Sequence, residues 1–321
     1  MPDRPECPED LTRMVKNNLK IYDSIKPKFS EGKYTVIATL NDYKSHDLLA
    51  LATGTHASCR VYADDIEDCH AESLLKRAYK RFLINKLKHD QSNPASRDTA
   101  KQVLHQVCST GLILFVSQFP CGLLGRYLGA EPIDETTGEI IKRKPGRGQT
   151  IDGRVVYVQK DKCIDKLKRW ISQGMQGRQL TARLGLISHI KKILIGDCEC
   201  QIDLDYTTAL NELIVYLGLT KDQVYIVDGV RRQEFVYSPD CSPQPEAIVW
   251  WRQSESPGSN RKQIEVITDG RRKGLTKQHA ANSGDNVSYQ LQVGDCCLRR
   301  DLGSIIGQVT GQHLLTHRQE M

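Results

Sequence analysis

The sequence predicts an α/β fold in which helices cover a mixed sheet. Three observations carry that expectation. Short apolar runs of strand length recur along the chain, and a long amphipathic segment of helical period, His70 to Leu87, lies between two of them. The most apolar run, Gly111 to Ser117, leads into Pro120-Cys121-Gly122, a turn able to open a further helix.

Taken in order, residues 7 to 30 set Leu11, Met14, Val15, Leu19, Tyr22 and Ile25 at helical spacing among charged neighbours, so an N-terminal helix is expected. Tyr34 to Leu40 and Asp47 to Thr53 are apolar runs separated by the polar turn Asn41-Asp42-Tyr43-Lys44, which reads as a strand pair. In the segment from His70, positions 71, 74, 75, 78, 82 and 83 keep a 3.6 period, and Asp68 is the expected N-cap. Gly111 to Ser117 reads as a fully buried strand. Residues 130 to 150 are rich in proline, glycine and charge and predict a surface loop, with Val155 to Val158 a short edge strand beyond it. Cys163 through Trp170 to about Ile195 reads as helix interrupted at Gly174 and Gly177. Val224 to Val227, and Ala247 to Trp251 paired with Ile264 to Ile267, are further strands. The last 40 residues show no period and are expected to be irregular, and no internal repeat is visible.

With 321 residues, 39% of them hydrophobic, the chain is read as one catalytic domain with long insertions. No apolar run approaches the roughly 20 residues of a membrane span, and the N-terminus lacks the basic-then-apolar order of a signal peptide. A soluble protein of the cytosol or nucleus, with no membrane association and no obligate protein partner, is expected. Eleven cysteines are an odd number, which in a reducing compartment suits buried thiols and a few metal ligands better than a disulfide framework. A net charge of +6 suits a polyanionic partner.

His70-Ala71-Glu72, followed about fifty residues later by Pro120-Cys121, reproduces most of the H-x-E … P-C-x-x-C pattern that holds zinc in hydrolytic deaminases. The pattern suits its chemistry: a catalytic zinc takes three protein ligands and leaves one position for water, and a carboxylate nearby moves protons. Position 124 is Leu rather than the second cysteine, so a third ligand must come from Cys163 or another thiol such as Cys59, Cys69 or Cys108. His70, Glu72 and Cys121 all fall at expected helix starts, where the helix dipole favours thiolate and hydroxide.

Asp68-Cys69-His70-Ala71-Glu72 near Gly54-Thr55, then Phe119-Pro120-Cys121-Gly122, then Lys162-Cys163-Ile164-Asp165-Lys166 with Arg169-Trp170 and Gly174-Met175-Gln176-Gly177, together resemble the editase domain of the adenosine deaminases acting on RNA. The resemblance spans about residues 33 to 277, and Lys142 to Gly148, ending Lys-Pro-Gly-Arg-Gly, is most similar to the branch acting on tRNA. It implies a cytidine-deaminase-like core with editase-type insertions and a C-terminal extension, divided into an N-terminal helical segment (1–32), a deaminase domain (33–277) and an atypical tail (278–321). It implies conversion of adenosine to inosine 3′ of the anticodon of alanine tRNA, with zinc on His70, Cys121 and Cys163 and with Glu72 as proton shuttle. It further implies a buried inositol hexakisphosphate gripped by Lys76, Arg77, Lys166 and Arg169 and joined to the metal through Asp68, Lys166 and Lys144. Thr55 would touch the flipped nucleotide and Arg147 would border the gap it leaves.

The chain departs from the family pattern at Leu123, where Asp is usual, at Lys162, where Ser is usual, and at Glu67, where an Asn is usual. Nothing after about Lys277 matches. Two alternatives stand beside the leading reading: a catalytically impaired or truncated RNA-binding form of the same fold, and a deaminase of other RNA or of free nucleosides. The basic stretches at Lys142 to Arg147, Arg178 to Lys192 and Arg271 to Lys277 favour a polynucleotide over a small substrate.

Overall fold

Leu11, Met14, Val15, Leu19 and Tyr22 recur at intervals of three and four, and the helix they form, α1 (Glu9–Ile25), buries all of them. Glu9 and Asp10 in its first turn suit the positive end of the helix dipole. It stops at Lys26, held extended because Pro27 follows. This helix belongs to a computed structural model that describes residues 6–27, 29, 31–55, 68–91, 105, 108–123, 143–151, 154–177, 187–197, 206–236, 241–252, 264–268 and 271–272.

The remaining elements in chain order are β1 (Lys33–Tyr34), β2 (Ile37–Asp42), β3 (Leu48–Thr53), α2 (Ala71–Gln91), β4 (Leu112–Val116), β5 (Arg143–Ile151), β6 (Arg154–Asp161), α3 (Cys163–Gln173), β7 (Ile190–Gly196), α4 (Tyr206–Leu217), β8 (Val224–Val227), β9 (Ser242–Pro243), β10 (Glu246–Trp251), β11 (Ile264–Thr268) and β12 (Arg271–Arg272). Eight strands form one mixed sheet in the order β12-β11-β10-β3-β2-β4-β7-β8. It is antiparallel from β12 to β4 and parallel from β4 through β7 to β8.

β3 and β4 are buried at every position, as continuous apolar runs must be when both faces of a sheet are covered. On one face α2, α3 and α4 pack Leu74, Leu75, Ala78, Phe82, Ile164, Leu167, Leu210 and Leu213 against Leu114, Val116, Ile193 and Val249. On the other, α1 packs against Ile37, Leu51, Ile113, Phe115 and Leu194. The layers are therefore α/β/α. Docking of α1 is given direction by a buried polar network. Asn18 Nδ2 donates to Thr39 Oγ1 (3.0 Å) and to Asn41 Oδ1 (2.8 Å), while Asn41 Nδ2 donates to the His46 carbonyl (2.9 Å).

Three expectations are corrected. Residues 143–151 are a strand, β5, paired antiparallel with β6, and Val155 to Val158 is the middle of that partner rather than a short edge strand. Proline and glycine suggested a loop, but a two-stranded hairpin has free edges that tolerate proline, and its register slips between Pro145 and Gly148, accommodating Gly146 and Arg147. The helix from Cys163 stops at Gln173, where Gly174 takes φ +81°, and Ile190–Gly196 is strand. That run is inserted between β4 and β8, and its β-branched residues fit a pleated, doubly covered position. Helix α4 was not anticipated, although Ala209, Leu210, Leu213, Ile214 and Leu217 carry its period. The last 40 residues, Cys59 and Glu67 lie outside the described residues.

Replacing Asn18 with Ala removes the donor to Thr39 and Asn41 and leaves the Asn41 side chain short of a buried partner. Stability should fall by about 1–3 kcal/mol, read as a lower urea midpoint with an unchanged slope. An unaltered midpoint would show that apolar contacts alone dock α1.

Candidate metal centre

Three separate chain segments end at one place. The carbonyl of His70 accepts the amide of Leu74 (3.0 Å), which makes His70 the cap residue of α2 and puts Glu72 in its first turn. Asp68 is thus not the N-cap: it lies two residues earlier, and its Oδ1 accepts the amide of His70 itself (3.1 Å). Beyond β4 the chain turns at Pro120–Gly122, with Gly122 at φ +96°, and enters helical geometry at Leu123. Leu123 is buried in the core on the α2 side, so the position usually held by Asp in the resembling family serves packing here.

Cys163 is the first residue of α3. Lys162 before it makes no side-chain capping bond. The free amides of that helix start are taken by Cys121 instead: Cys163 N–H donates to Cys121 Sγ (3.2 Å) and Ile164 N–H to the Cys121 carbonyl (3.3 Å). A sulfur that accepts an amide at a helix N-terminus is stabilised as thiolate.

The result is a cluster in which one ligand atom each from His70, Cys121 and Cys163 lies within 4.8 Å of the others. Cys163 Sγ is 3.3 Å from His70 Nδ1. Cys163 is buried, Cys121 partly so, and His70 is the most open of the three. One imidazole and two thiolates form a donor set suited to zinc with a fourth position left over. The choice among thiols left open by spacing is resolved for the described ones, since Cys69 and Cys108 sit in the apolar core.

Glu72 is buried beside this cluster, 3% exposed. Burial pushes its carboxyl above the usual carboxylate range and Cys121 adds to the effect, against the opposing pull of His70. Asp68 also accepts from Lys166 Nζ, which donates to Ser73 Oγ at 2.9 Å as well. Burial by itself would lower the Lys166 ammonium. The Asp68 carboxylate, and after it the Cys163 sulfur, outweigh burial and hold the ammonium above its ordinary value.

The other expected cations do not share one partner. Arg77 is buried on α2 and binds Glu265 on β11 through Nε (2.9 Å), with Arg81 on the other carboxylate oxygen (3.1 Å). Both terminal nitrogens of Arg77 are enclosed without a hydrogen-bond partner among the described residues. Lys76 Nζ lies over the Trp170 ring, 4.9 Å from its centroid. Arg169 is half exposed and pairs with Asp161. Thr55 is buried near the cluster, its amide donating to the Cys69 carbonyl (2.9 Å) and its hydroxyl to the Gln244 carbonyl. Lys144 and Arg147 stand on β5, and their side chains lie outside the described residues.

Ser73, Arg81, Glu265 and Gln244 were not singled out from sequence. Arg81 follows Arg77 by one helical turn on a side otherwise apolar, and Glu265 interrupts a β-branched run. Both are signals of a buried charge partner. Ser73 and Gln244 carry no comparable signal.

Comparison with known proteins agrees with this geometry. The adenosine-deaminase (editase) domain matches residues 50–128, which contain His70, Glu72 and Cys121. The chain is 27% identical over 313 aligned residues to a Drosophila melanogaster protein named tRNA-specific adenosine deaminase 1, covering 83% of this chain and 75% of that protein. No helix among the described residues is long and apolar enough to cross a membrane.

The turn that aims Cys121 tolerates no side chain at Gly122. A Cβ there would stand 2.7 Å from Lys162 Cδ and 3.1 Å from Ile164 Cγ2, at a φ that L residues rarely adopt. Gly122→Ala should therefore displace Cys121 from the start of α3, lowering bound zinc several-fold and stability by about 1–3 kcal/mol. Metal analysis and a thermal melt check this, and full zinc occupancy with an unshifted melt would contradict it.

Proposed function

We propose that this chain, which is similar to the adenosine-deaminase (editase) domain over residues 50–128 and 27% identical to a tRNA-specific adenosine deaminase, hydrolyses adenosine to inosine in tRNA. The observation that carries the reading is the meeting of His70, Cys121 and Cys163, from three distant segments, beside a buried Glu72. Those three residues would hold zinc, which when bound makes a water acidic enough to serve as nucleophile near neutral pH.

The overall change adds water at C6 of the purine and releases ammonia, so protons must reach ring N1 and the departing amine. Glu72 is the group suited to both transfers: its carboxyl lies beside the ligand cluster, and burial biases it toward the protonated form that a donor requires. Asp68 steadies His70 through the backbone amide, and Lys166 steadies Asp68. The target base must leave its stack to reach this pocket. Thr55 and Arg147 are the residues proposed to meet the flipped nucleotide and the gap it leaves.

The relative's name and the net charge of +6 support tRNA as substrate. Similarity at Lys142 to Gly148 supports the adenosine 3′ of the anticodon of alanine tRNA. Four of the described cysteines are spent as core thiols (Cys69, Cys108) or candidate metal ligands (Cys121, Cys163), a usage that supports a reducing compartment, cytosol or nucleus.

Inositol hexakisphosphate belongs to the same proposal. The buried Arg77 guanidinium and the partly buried Arg81 guanidinium both bind Glu265, and the enclosed terminal nitrogens of Arg77, without partners among the described residues, favour a polyanion. Arg77 is the residue that supports it most directly, whereas Lys166 and Arg169 already hold carboxylates.

The test is incubation of the purified protein with alanine tRNA, sequencing for inosine, and metal analysis of the same sample. Glu72→Gln should retain zinc and lose roughly 10²–10⁴-fold in rate, the contribution of a general acid–base. Near-parental activity would remove Glu72 from the mechanism. Acid denaturation of the same preparation should release about one inositol hexakisphosphate per chain on ion chromatography, and its absence would leave Arg77 without the proposed counterion.

A further inference from the structure

Two departures from the family pattern, Leu123 and Lys162, meet at one turn. Leu123 is 1% exposed and anchors the end of that turn in the apolar core, its amide donating to the Pro120 carbonyl (3.3 Å). Lys162 lies against Gly122: a Cβ built on the glycine would stand 2.8 Å from Lys162 Cβ and 2.7 Å from Lys162 Cδ. The stem of the lysine therefore fills the space that a side chain at position 122 would take. Cys121 sits between Pro120 and this covered glycine.

Lysine is ordinarily a surface residue, yet Lys162 is 7% exposed. Long charged side chains reach that state by laying their methylenes along a neighbour. The serine usual at this position would make a good helix cap, whereas Lys162 caps nothing with its side chain. The first amides of α3 go instead to Cys121, one to its sulfur (3.2 Å) and one to its carbonyl (3.3 Å). These two facts fit together. Cys121 can cap α3 only while its turn is held against the helix start, and the residue at that helix start is the one whose stem covers the turn. Serine, with a single side-chain carbon, would leave open the part of Gly122 that Lys162 Cδ meets.

We propose that Lys162 is a positioning residue for the metal centre: its stem, closed over Gly122, holds Cys121 where the sulfur both caps α3 and completes the donor set with His70 and Cys163. The atoms that meet Gly122 are carbons, so the stem and not the ammonium carries the role. This rests on the reading above that those three residues hold zinc.

The experiment titrates the full chain with Zn²⁺ against a competing chelator, and separately with Co²⁺, whose absorption reports thiolate ligation. Lys162→Ser should bind Zn²⁺ about 10- to 100-fold more weakly, the usual cost of losing a group that orients a metal ligand, and should alter the Co²⁺–thiolate band. Because serine caps helices well, the circular dichroism of this variant should stay that of the parent. Lys162→Met, which keeps the stem with sulfur at the δ position and drops the charge, should match the parent in affinity and spectrum. A double-mutant cycle adds an independent measure. With the stem shortened by Lys162→Ser, a Cβ at position 122 loses one of its clashes, so Gly122→Ala should weaken Zn²⁺ binding less in that background than in the parent. Parent-like affinity and spectrum in Lys162→Ser overturn the proposal. So does a Lys162→Met protein as impaired as Lys162→Ser, or strict additivity in the cycle, and in each of these cases the zinc site itself stands. A parent chain that binds neither metal overturns the zinc reading and this proposal together.

Discussion

The amide of Cys163 donating to the sulfur of Cys121 is the contact on which the rest of the site depends. It joins the turn after β4 to the start of α3, two segments 42 residues apart, and it does so with a metal-ligand candidate rather than an ordinary capping side chain. Lys162 makes no capping bond at that helix start, so the helix and the ligand pair are one structural unit. Any change that moves Cys121 uncaps α3 and separates the thiols at the same time. A metal held by those thiols would therefore couple its binding to folding, as structural metal sites generally do.

The sheet explains why the three segments arrive together. β3 leads toward α2, β4 leads into the Pro120 turn, and β7 pairs parallel with β4. Gly54 at the exit of β3 approaches the amide of Ala71 so closely that a Cβ would stand 3.1 Å from it, fixing the start of α2 against the sheet. Apolar burial on both faces keeps the strand ends rigid, and the side chains at those ends inherit that rigidity. Polar contacts supply direction where apolar packing does not, as the Asn18–Asn41 pair does for α1 and the Lys166–Asp68 pair does beside the cluster.

Charge beneath the site follows a different logic. Lys166 is matched by Asp68, and Arg169 by Asp161, so neither calls for anything further. Arg77 and Arg81 both bind Glu265, one at each carboxylate oxygen. The four cations grouped by resemblance thus divide: Lys166, Arg169 and Arg77 each hold a different carboxylate, while Lys76 lies over the Trp170 ring. Spacing in the sequence could not have made that division, because pairing depends on which strand brings Glu265 under α2.

Periodicity determined a good deal. The apolar positions of α1 and α2, the buried run of β4 and the pairing of β10 with β11 were all legible, because burial on one helical face or on both faces of a strand writes directly into residue order. The site chemistry was legible too: His70 and Cys121 as candidate ligands, with Glu72 as the nearby carboxylate, announce themselves by residue type and spacing. What tertiary structure alone decided were matters of partnership. Ile190–Gly196 became strand because β4 and β8 offered it a doubly covered slot, and Arg143–Ile151 became strand because β6 lay opposite. Cys163, rather than Cys69 or Cys108, joined the cluster because its backbone amide met Cys121. A helix or strand is specified by neighbours in the chain, whereas a third ligand, a shared carboxylate or a covered turn is specified by neighbours in space.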